Sequence, residues 1–281
     1  MKFSYYPGCS LLGTAKEFDD STRSVCQKMA LELKELPDWN CCGASSAHSL
    51  DPFLSIALAA RNLKIAQLEG MDLVVPCAAC FNRMKFADYE IGHAPELGKK
   101  VEHLLDYQHT GTTKILHILE LFDRFVGLAR IKESITRPLT NLRLVSYYGC
   151  LLVRPSAIMK FDDPENPMIM DKLMSAIGAQ VLNWSYKTEC CGASLSLTRD
   201  DIVSQLVAEI VGMAKEAGAD AIVVACPLCG QNLEMRQKEK LPIFYFTELL
   251  GLALGIGKCR NWFSKHLIDG VSLLRSLNLI S

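Results

Sequence analysis

Short apolar runs alternate along the chain with longer segments in which apolar residues recur at helical spacing. Leu73 to Val75 and Ile222 to Val224 are continuous apolar runs, which are typical of strands buried on both faces. Phe53 to Leu68 and Asp201 to Ala217 carry apolar residues every three or four positions and predict amphipathic helices. Thr14 to Leu36 has a similar composition, and we expect it to be helical over its whole length.

Two further strands are predicted near the start and the middle of the chain. Lys2 to Tyr6 and Arg143 to Tyr148 are rich in β-prone residues, and both stop just before a glycine or a Pro-Gly pair. Predicted helices, Phe81 to Tyr89 and Asn232 to Lys240, follow the two buried strands. The recurring unit is a strand, a loop and a helix, which is typical of an α/β fold with mainly parallel sheets.

Ten of the twelve cysteines fall into two copies of one pattern. Each copy has a single cysteine, then a Cys-Cys-Gly triplet, then a Cys-x-x-Cys pair. In both copies 34 residues lie between the triplet's second cysteine and the pair, and 149 positions separate Cys41 from Cys190 and Cys77 from Cys226. Such an internal repeat predicts two structurally similar halves.

The similarity of the halves extends beyond the cysteines. Tyr5-Tyr6-Pro7-Gly8-Cys9 corresponds to Tyr147-Tyr148-Gly149-Cys150. We expect two pseudo-equivalent Rossmann-like halves, residues 1–140 and 141–281, with the cysteine loops at the carboxyl ends of the strands. Ligands of parallel sheets bind beyond those ends, so the five thiols of each half can converge on one crevice. We expect the cysteine-free segment Gly92 to Thr113 to be an excursion that joins the halves.

The net charge, the longest apolar stretch and the first ten residues limit the possible partners and the cellular compartment of the protein. Thirty basic and thirty-one acidic residues give a net charge of −1, so neither nucleic acid nor an anionic membrane surface is indicated. The longest apolar stretch, Leu249 to Gly257, is too short to span a bilayer. The first ten residues show no secretory signal, and we therefore expect a cytoplasmic protein whose thiols are kept reduced.

The repeated thiols admit three kinds of chemistry. A disulfide framework is disfavoured, because disulfide-dense chains are usually short and secreted, whereas this chain has 281 residues. Zinc stays open, because Cys-x-x-Cys pairs form half of many zinc sites, although zinc takes four ligands rather than five. Iron-sulfur clusters also suit soft thiolates, and a five-cysteine set points to an unusual one.

The residues around the cysteines resemble a known family. The match runs from Tyr5 to about Arg236 and includes the stretches Tyr5 to Ser10, Asp38 to Ser49 and Asp162 to Pro167. On these motifs the chain is similar to the B-type subunit of heterodisulfide reductase, an iron-sulfur protein with two cysteine-rich CCG domains.

The resemblance implies two noncubane 4Fe-4S clusters, one in each half, and reduction of a small-molecule disulfide to two thiols. It also implies two partners, a ferredoxin-like iron-sulfur subunit of the C type and a flavoprotein subunit of the A type. Carried over residue by residue, the implied ligands are Cys9, Cys41, Cys42, Cys77, Cys80, Cys150, Cys190, Cys191, Cys226 and Cys229.

Two other functions remain open at this stage. The chain could be an electron-conducting subunit of another oxidoreductase, such as a succinate or quinone enzyme, without disulfide chemistry. It could also be a zinc-binding scaffold. His48 is a candidate proton donor to a departing thiolate, with a structural role as its alternative. We expect Cys26 to be a buried, inert thiol and Cys259 to be a surface thiol without a role.

Overall fold

The computed structural model of the chain describes residues 1–44 and 47–280. Two four-stranded sheets organise it, each with all neighbouring strands parallel. This confirms the predicted α/β fold with two similar halves. The motif residues Ser45 and Ser46 lie outside the described part.

The first sheet has the order β2-β1-β3-β4. Its strands are β1 (Lys2–Tyr5), β2 (Glu32–Glu35), β3 (Leu73–Val75) and β4 (Ile115–His117). The helices of this part are α1 (Gly8–Leu12), α2 (Lys16–Lys28), α3 (Ala47–Leu50), α4 (Pro52–Glu69), α5 (Ala78–His93), α6 (Pro95–Leu105), α7 (Ile118–Leu121) and α8 (Leu128–Ser134), with a π-helical turn at Phe122–Val126.

The second sheet repeats that order as β6-β5-β7-β8. Its strands are β5 (Arg143–Tyr147), β6 (Gln180–Val181), β7 (Ala221–Val224) and β8 (Ile243–Tyr245). The helices are α9 (Ser156–Met159), α10 (Ile169–Ala176), α11 (Asp200–Glu216), α12 (Pro227–Arg236), α13 (Phe246–Ala253), α14 (Cys259–Phe263) and α15 (Gly270–Ser276), with a 3-10 turn at Ala193–Leu195.

This strand order creates the crevice that the cysteines use. From β1 the chain moves to one side of the sheet for β2 and to the other side for β3, and the second half does the same around β5. Where the strand order reverses in this way, the loops that follow the two adjacent strands run in opposite directions and leave an open space at the carboxyl ends. β3 and β7 are buried along their whole length, as their continuous apolar runs predict.

The helix expected over Thr14 to Leu36 is wrong in its second part. Helix α2 stops at Lys28, and Ala30 has a left-handed backbone with φ of 58°. The chain then turns into the edge strand β2, whose sequence Glu-Leu-Lys-Glu is largely exposed and charged, as edge strands commonly are. Leu33, which the helical prediction includes, lies in this strand.

The segment Gly92 to Thr113 does not join the halves, which corrects that expectation. It contains the whole of α6 and then returns the chain to β4, the last strand of the first sheet. The chain crosses to the second half after β4, where α8 contacts α10, and α13 of the second half contacts α2 in return. The boundary expected near Thr140 lies between α8 and β5.

Candidate metal centre

Every cysteine of the two sets lies beyond the carboxyl end of a strand. Cys9 and Cys150 follow β1 and β5, and the Cys-Cys-Gly triplets lie in the loops after β2 and β6. Cys77 and Cys226 come after β3 and β7 and are the N-cap residues of α5 and α12. The loops therefore lie where the sequence predicts them.

The thiols of the first set lie in contact with one another. The sulfurs of Cys42 and Cys80 are 3.1 Å apart, and the Cys42 thiol also bonds that of Cys41. Hydrogen bonds from Cys41 and then Cys80 lower the pKa of Cys42, while the bond with Cys42 raises the pKa of Cys41. Because metals bind the thiolate, this arrangement favours the ligating form at Cys42. Cys9 and Cys41 are exposed, and the other three are buried.

The second set repeats the pattern. The sulfurs of Cys191 and Cys229 are 3.6 Å apart, and the thiol of Cys150 bonds that of Cys190. That bond lowers the pKa of Cys190 to about 6, and the Gly192 N–H donates to the same sulfur at 3.3 Å. Both halves thus combine thiols that favour the anion with thiols that favour the neutral form, as expected where several thiols share one site.

Two glycines bring the backbone against these sulfurs. Gly8 and Gly149 precede the first cysteine of each set, with φ of 71° and 72°. A Cβ at Gly8 would lie 3.2 Å from the sulfur of Cys80, and one at Gly149 would lie 3.0 Å from that of Cys229. Only glycine provides both the left-handed backbone and the missing side chain, so the space beside each sulfur is kept open.

Two tyrosines of the repeated tyrosine-glycine-cysteine motif hold the triplet loops, a role that the motif does not predict. The Tyr6 hydroxyl donates to the carbonyl of Asn40 at 2.9 Å, and the Tyr147 hydroxyl donates to that of Glu189 at 2.7 Å. Each acceptor directly precedes a triplet. Tyr6, rather than Tyr5, is therefore the counterpart of Tyr147, so the Tyr-Tyr pairs of the two halves align with an offset of one residue. The Gly-Cys that follows both tyrosines is the sequence signal for this pairing.

The two sets face one another across the boundary between the halves. The thiols of Cys77 and Cys226 lie close enough to shift each other's pKa, that of Cys77 upward and that of Cys226 downward. A cavity of about 260 Å³ lies beside them, and all five cysteines of the second set line it. The first half contributes Ala78 and Ala79, between the cysteines of its pair, and also His48 and Arg83.

Several other cavities are lined by no cysteine. One of them, of about 470 Å³, lies beside Lys132, Asp171 and Lys187 and is lined by no cysteine or histidine. Across residues 1–44 and 47–280, no group of three or more His, Cys, Asp or Glu side chains is arranged to hold a single metal ion. The fit to a metal group therefore rests on the soft donor set, the sulfur contacts and the space that the glycines keep open.

The structure also places the remaining candidate residues. His48 lies exposed on α3 and lines the cavity. Cys26 is buried, and burial raises its pKa, as expected of an inert thiol. The expectation of a surface thiol at Cys259 is wrong: the side chain is 3% exposed, and its sulfur donates to the Ile256 carbonyl at 2.7 Å. Burial raises the pKa of Cys259 to about 12.

None of the helices in the described ranges is long and apolar enough to cross a bilayer.

Two curated relatives match along the whole chain. One is the 8-methylmenaquinol:fumarate reductase membrane anchor subunit of Wolinella succinogenes, 27% identical, with 97% of this chain and 99% of the relative covered. Another is the B-type subunit of the ferredoxin:CoB-CoM heterodisulfide reductase of Methanosarcina mazei, 29% identical, with 100% and 98% covered. The resemblance to the B-type subunit of heterodisulfide reductase is thereby confirmed.

A solved structure and a family model complete the comparison. The crystal structure of a hypothetical protein from Helicobacter pylori has the same fold, with a TM-score of 0.72 at 11% identity. The match covers 95% of this chain and 52% of that one. The model of the CCG cysteine-rich domain matches residues 3–85 and 144–234. The chain therefore belongs to the CCG cysteine-rich domain family and carries two copies of that domain.

Proposed function

We propose that this chain is the iron-sulfur subunit of a heterodisulfide reductase-like complex. In this proposal it reduces a disulfide, R-S-S-R′, to the thiols R-SH and R′-SH. The sulfur-sulfur bond breaks as two electrons arrive from a ferredoxin-like C-type subunit. A flavoprotein A-type subunit supplies these electrons to the C-type subunit. Two protons complete the thiols.

One observation carries the proposal: the five thiols of the second set line a single cavity, whose opposite wall comes from the first half. A small molecule bound there touches residues of both halves at once. Because Cys77 lies close to Cys226, the first set is adjacent to that wall. The names of the relatives support disulfide reduction as the reaction.

The donor sets fit two noncubane 4Fe-4S clusters, one in each half. In the first half Cys9, Cys41, Cys42, Cys77 and Cys80 would hold the group, and in the second half Cys150, Cys190, Cys191, Cys226 and Cys229. When bound, such clusters supply one-electron transfer, and two of them supply the pair of electrons that a disulfide takes. Reduced thiolates are needed for this ligation, which agrees with a cytoplasmic location.

The side chains around the cavity have separate tasks in this proposal. Ala78, Ala79 and Leu228 present small or apolar surface, which excludes water from the reacting sulfurs. His48 lines the same cavity while remaining exposed, so it can pass a proton from solvent to a product thiolate.

The relative in Wolinella supports a second function, that of an electron conduit. Its name assigns it to a fumarate reductase that uses 8-methylmenaquinol. In this alternative the two sets would carry electrons between a quinol and a partner enzyme without touching a disulfide. The alternative predicts the same iron content but no disulfide turnover.

Metal analysis and turnover separate these functions. Protein prepared anaerobically should contain about eight irons and eight sulfides per chain if each half holds four. With reduced methyl viologen as electron donor, it should then reduce small disulfides. Iron and sulfide without disulfide turnover would favour the conduit. Stoichiometric zinc without sulfide would leave only the scaffold.

A further inference from the structure

One buried side-chain amide crosses the boundary between the halves. Asn82 lies on α5, two residues after Cys80, and is 4% exposed. Its Nδ2 donates to two carbonyls of the second half, that of Leu151 at 2.9 Å and that of Arg154 at 2.8 Å. Because both partners are carbonyls, these hydrogen bonds fix the orientation of the amide. The helix that carries the first Cys-x-x-Cys pair thus holds a loop of the other half.

The loop that Asn82 holds carries a cysteine of the second set. Cys150 directly precedes Leu151, and the backbone N–H of Arg154 donates to the Cys150 carbonyl at 3.0 Å, which closes a turn. Asn82 donates to two carbonyls of that turn. Leu151 also lines the cavity between the halves. One side chain of the first half therefore couples the position of α5 to that of the Cys150 turn.

The second half makes the reciprocal contact. Gln231 on α12 is the equivalent of Asn82, because each lies two positions after the second cysteine of its pair. Its amide donates to the hydroxyl of Thr14, in the loop that follows Cys9. Helix α12 contacts α1, as α5 contacts α9. The two contacts differ in that Asn82 is buried and donates to two carbonyls, whereas Gln231 is partly exposed and donates to one hydroxyl.

A buried amide with two carbonyl acceptors fixes a geometry more than it adds stability. Such hydrogen bonds contribute modestly to folding, because water satisfies the same groups in the unfolded chain. A reaction that uses residues of two halves, in contrast, is sensitive to small changes in their separation. Asn82 lies where this demand arises, between the cysteine pair of the first set and the first cysteine of the second set.

We propose that Asn82 is the positioning residue that fixes the second cysteine set against the first, with Gln231 as its weaker counterpart. This inference rests on the proposed disulfide reduction. The Asn82 amide holds the Cys150 turn at the distance from α5 at which one small molecule reaches both sets. Loss of the amide should leave each set able to hold its iron but change the distance between the sets.

The magnetic interaction between two reduced clusters measures this distance without turnover. Dipolar coupling between paramagnetic centres falls with the cube of their separation, so electron paramagnetic resonance of the reduced, iron-loaded protein reports a change in it. Wild-type protein should show the coupling. Asn82→Ala should keep the full iron and sulfide content and show a clearly weaker coupling. Hydrogen exchange at residues 150–155 should also be faster in this variant, because the turn loses its donor.

Disulfide turnover gives a second measurement. With reduced methyl viologen as donor and bis(2-hydroxyethyl) disulfide as substrate, Asn82→Ala should lower kcat by about tenfold or more, with little change in KM. Asn82→Asp should lower it further, because a carboxylate then faces two carbonyls. Gln231→Ala should weaken the coupling and kcat in the same direction but less, because its contact is partly exposed. It also tests the inference if an Asn82 variant fails to fold.

Gln237→Glu is the matched control. Gln237 follows α12, and its amide donates to the Leu241 carbonyl at 2.9 Å, entirely within the second half. The substitution removes that donor but should change neither the coupling nor kcat. Equal weakening of the coupling in Gln237→Glu and Asn82→Ala would show a general loss of packing and overturn the inference.

Three results for Asn82→Ala would also overturn it. Loss of about half of the iron would mean that Asn82 only supports the second set. Full iron with unchanged coupling and kcat would mean that the distance between the sets does not depend on Asn82. A raised KM with unchanged kcat and coupling would mean that Asn82 shapes the cavity wall through Leu151 instead.

The proposed function and this inference fail in different ways. Wild-type protein with coupled clusters but no disulfide turnover is no disulfide reductase, and the coupling in Asn82→Ala then still decides whether Asn82 positions the two sets. Wild-type protein that reduces the disulfide, with Asn82→Ala unchanged in coupling and kcat, keeps the function and loses only the role of Asn82. Protein without iron and sulfide overturns both.

Discussion

Cys77 and Cys226, the first cysteines of the two Cys-x-x-Cys pairs, lie close together across the boundary between the halves, and each thiol shifts the pKa of the other. Each is the N-cap residue of the helix that follows its central buried strand. The fold thus brings two duplicated loops together at one place, and a molecule in the adjoining cavity lies between them. Such an arrangement suits a reaction in which residues of both halves take part.

We expect disulfide turnover to require both cysteine sets. Cys42→Ala and Cys191→Ala each remove a buried thiol that contacts the second cysteine of its pair. Each variant should lose disulfide reduction by about a hundredfold or more with an artificial one-electron donor, while keeping about half of the iron. Turnover and iron content, measured on the same anaerobic sample, check this.

Cys26→Ala is the matched control for these variants. It also removes a buried thiol, but Cys26 lies on α2 and belongs to neither set. It should keep full iron and turnover at a small cost in stability, about 1 kcal/mol. If Cys42→Ala or Cys191→Ala keeps near-complete turnover, a mechanism that uses both halves is wrong.

Gly149→Ala should release iron from the second half. The added Cβ would lie 3.0 Å from the Cys229 sulfur, so the sulfur or the loop has to move. Gly70→Ala is the control for backbone strain, because Gly70 has φ of 66° and nothing within 4 Å of its added Cβ. Both variants should lose stability, by about 1 kcal/mol or more from the left-handed backbone, but only Gly149→Ala should lose about half of the iron. Equal iron in the two variants would contradict the role of Gly149.

A buried ion pair supports the loop that carries Cys150. The Lys187 ammonium lies 2.8 Å from Asp171, and the Tyr148 hydroxyl donates to the same carboxylate at 2.6 Å. The Lys187 carbonyl accepts from the backbone N–H groups of Tyr148 and Gly149. The side chains of Lys187 and Asp171 are 3% and 6% exposed, so neither charge has water in place of its partner.

Lys187→Met should therefore lower the free energy of unfolding by about 3–5 kcal/mol, because it leaves the Asp171 carboxylate buried without its cation. Lys187→Met combined with Asp171→Asn should recover part of that loss, since the amide still accepts from Tyr148 without carrying a charge. Thermal unfolding of the iron-loaded protein, followed by circular dichroism, gives the comparison. A double variant no more stable than Lys187→Met would show that charge burial is not the cause.

The sequence predicts the parts of the site that repeat. The spacing of the cysteines, the buried strands β3 and β7 and the strand-loop-helix unit place the thiols at one edge of each sheet, and the structure has them there. The sequence pattern does not predict β2, because this short, charged strand has the same pattern as the end of an amphipathic helix. The meeting of Cys77 with Cys226 depends on how the halves pack, which no local pattern encodes.

Asymmetric features also escape prediction from the sequence. Arg83 lies in a helix of mixed composition, and only its place in the lining of the cavity distinguishes it from a surface arginine. Cys259 has basic neighbours in the sequence, but α14 packs against α2 and α13 and buries its thiol. In both cases the contacts of the side chain come from elements distant in sequence.

A second buried ionic cluster links the end of the chain to the first half. His266 lies between two carboxylates, with Nδ1 2.7 Å from Glu234 and Nε2 2.9 Å from Glu248. These carboxylates raise the pKa of His266 well above its usual value despite burial, so the folded protein holds it protonated. Burial also raises the pKa of the neighbouring Glu17, and Lys265 lies nearby. The cluster is positioned by α2, α12 and α13 together.

The stability of the protein should fall with rising pH because of this cluster. A histidine with a raised pKa stabilises the fold fully below its unfolded pKa of about 6.5, and that contribution is lost as the pH rises through the folded value. The raised pKa of Glu17 acts in the same direction, since its ionisation is less favourable in the fold than in the unfolded chain. His266→Gln should therefore lower the thermal midpoint of the iron-loaded protein strongly at pH 6, by on the order of 10 °C, and less at about pH 9. His93→Gln, at an exposed histidine on α5, should change neither midpoint. An equal loss at both pH values for His266→Gln would mean that packing, rather than the charge on the imidazole, is what the cluster contributes.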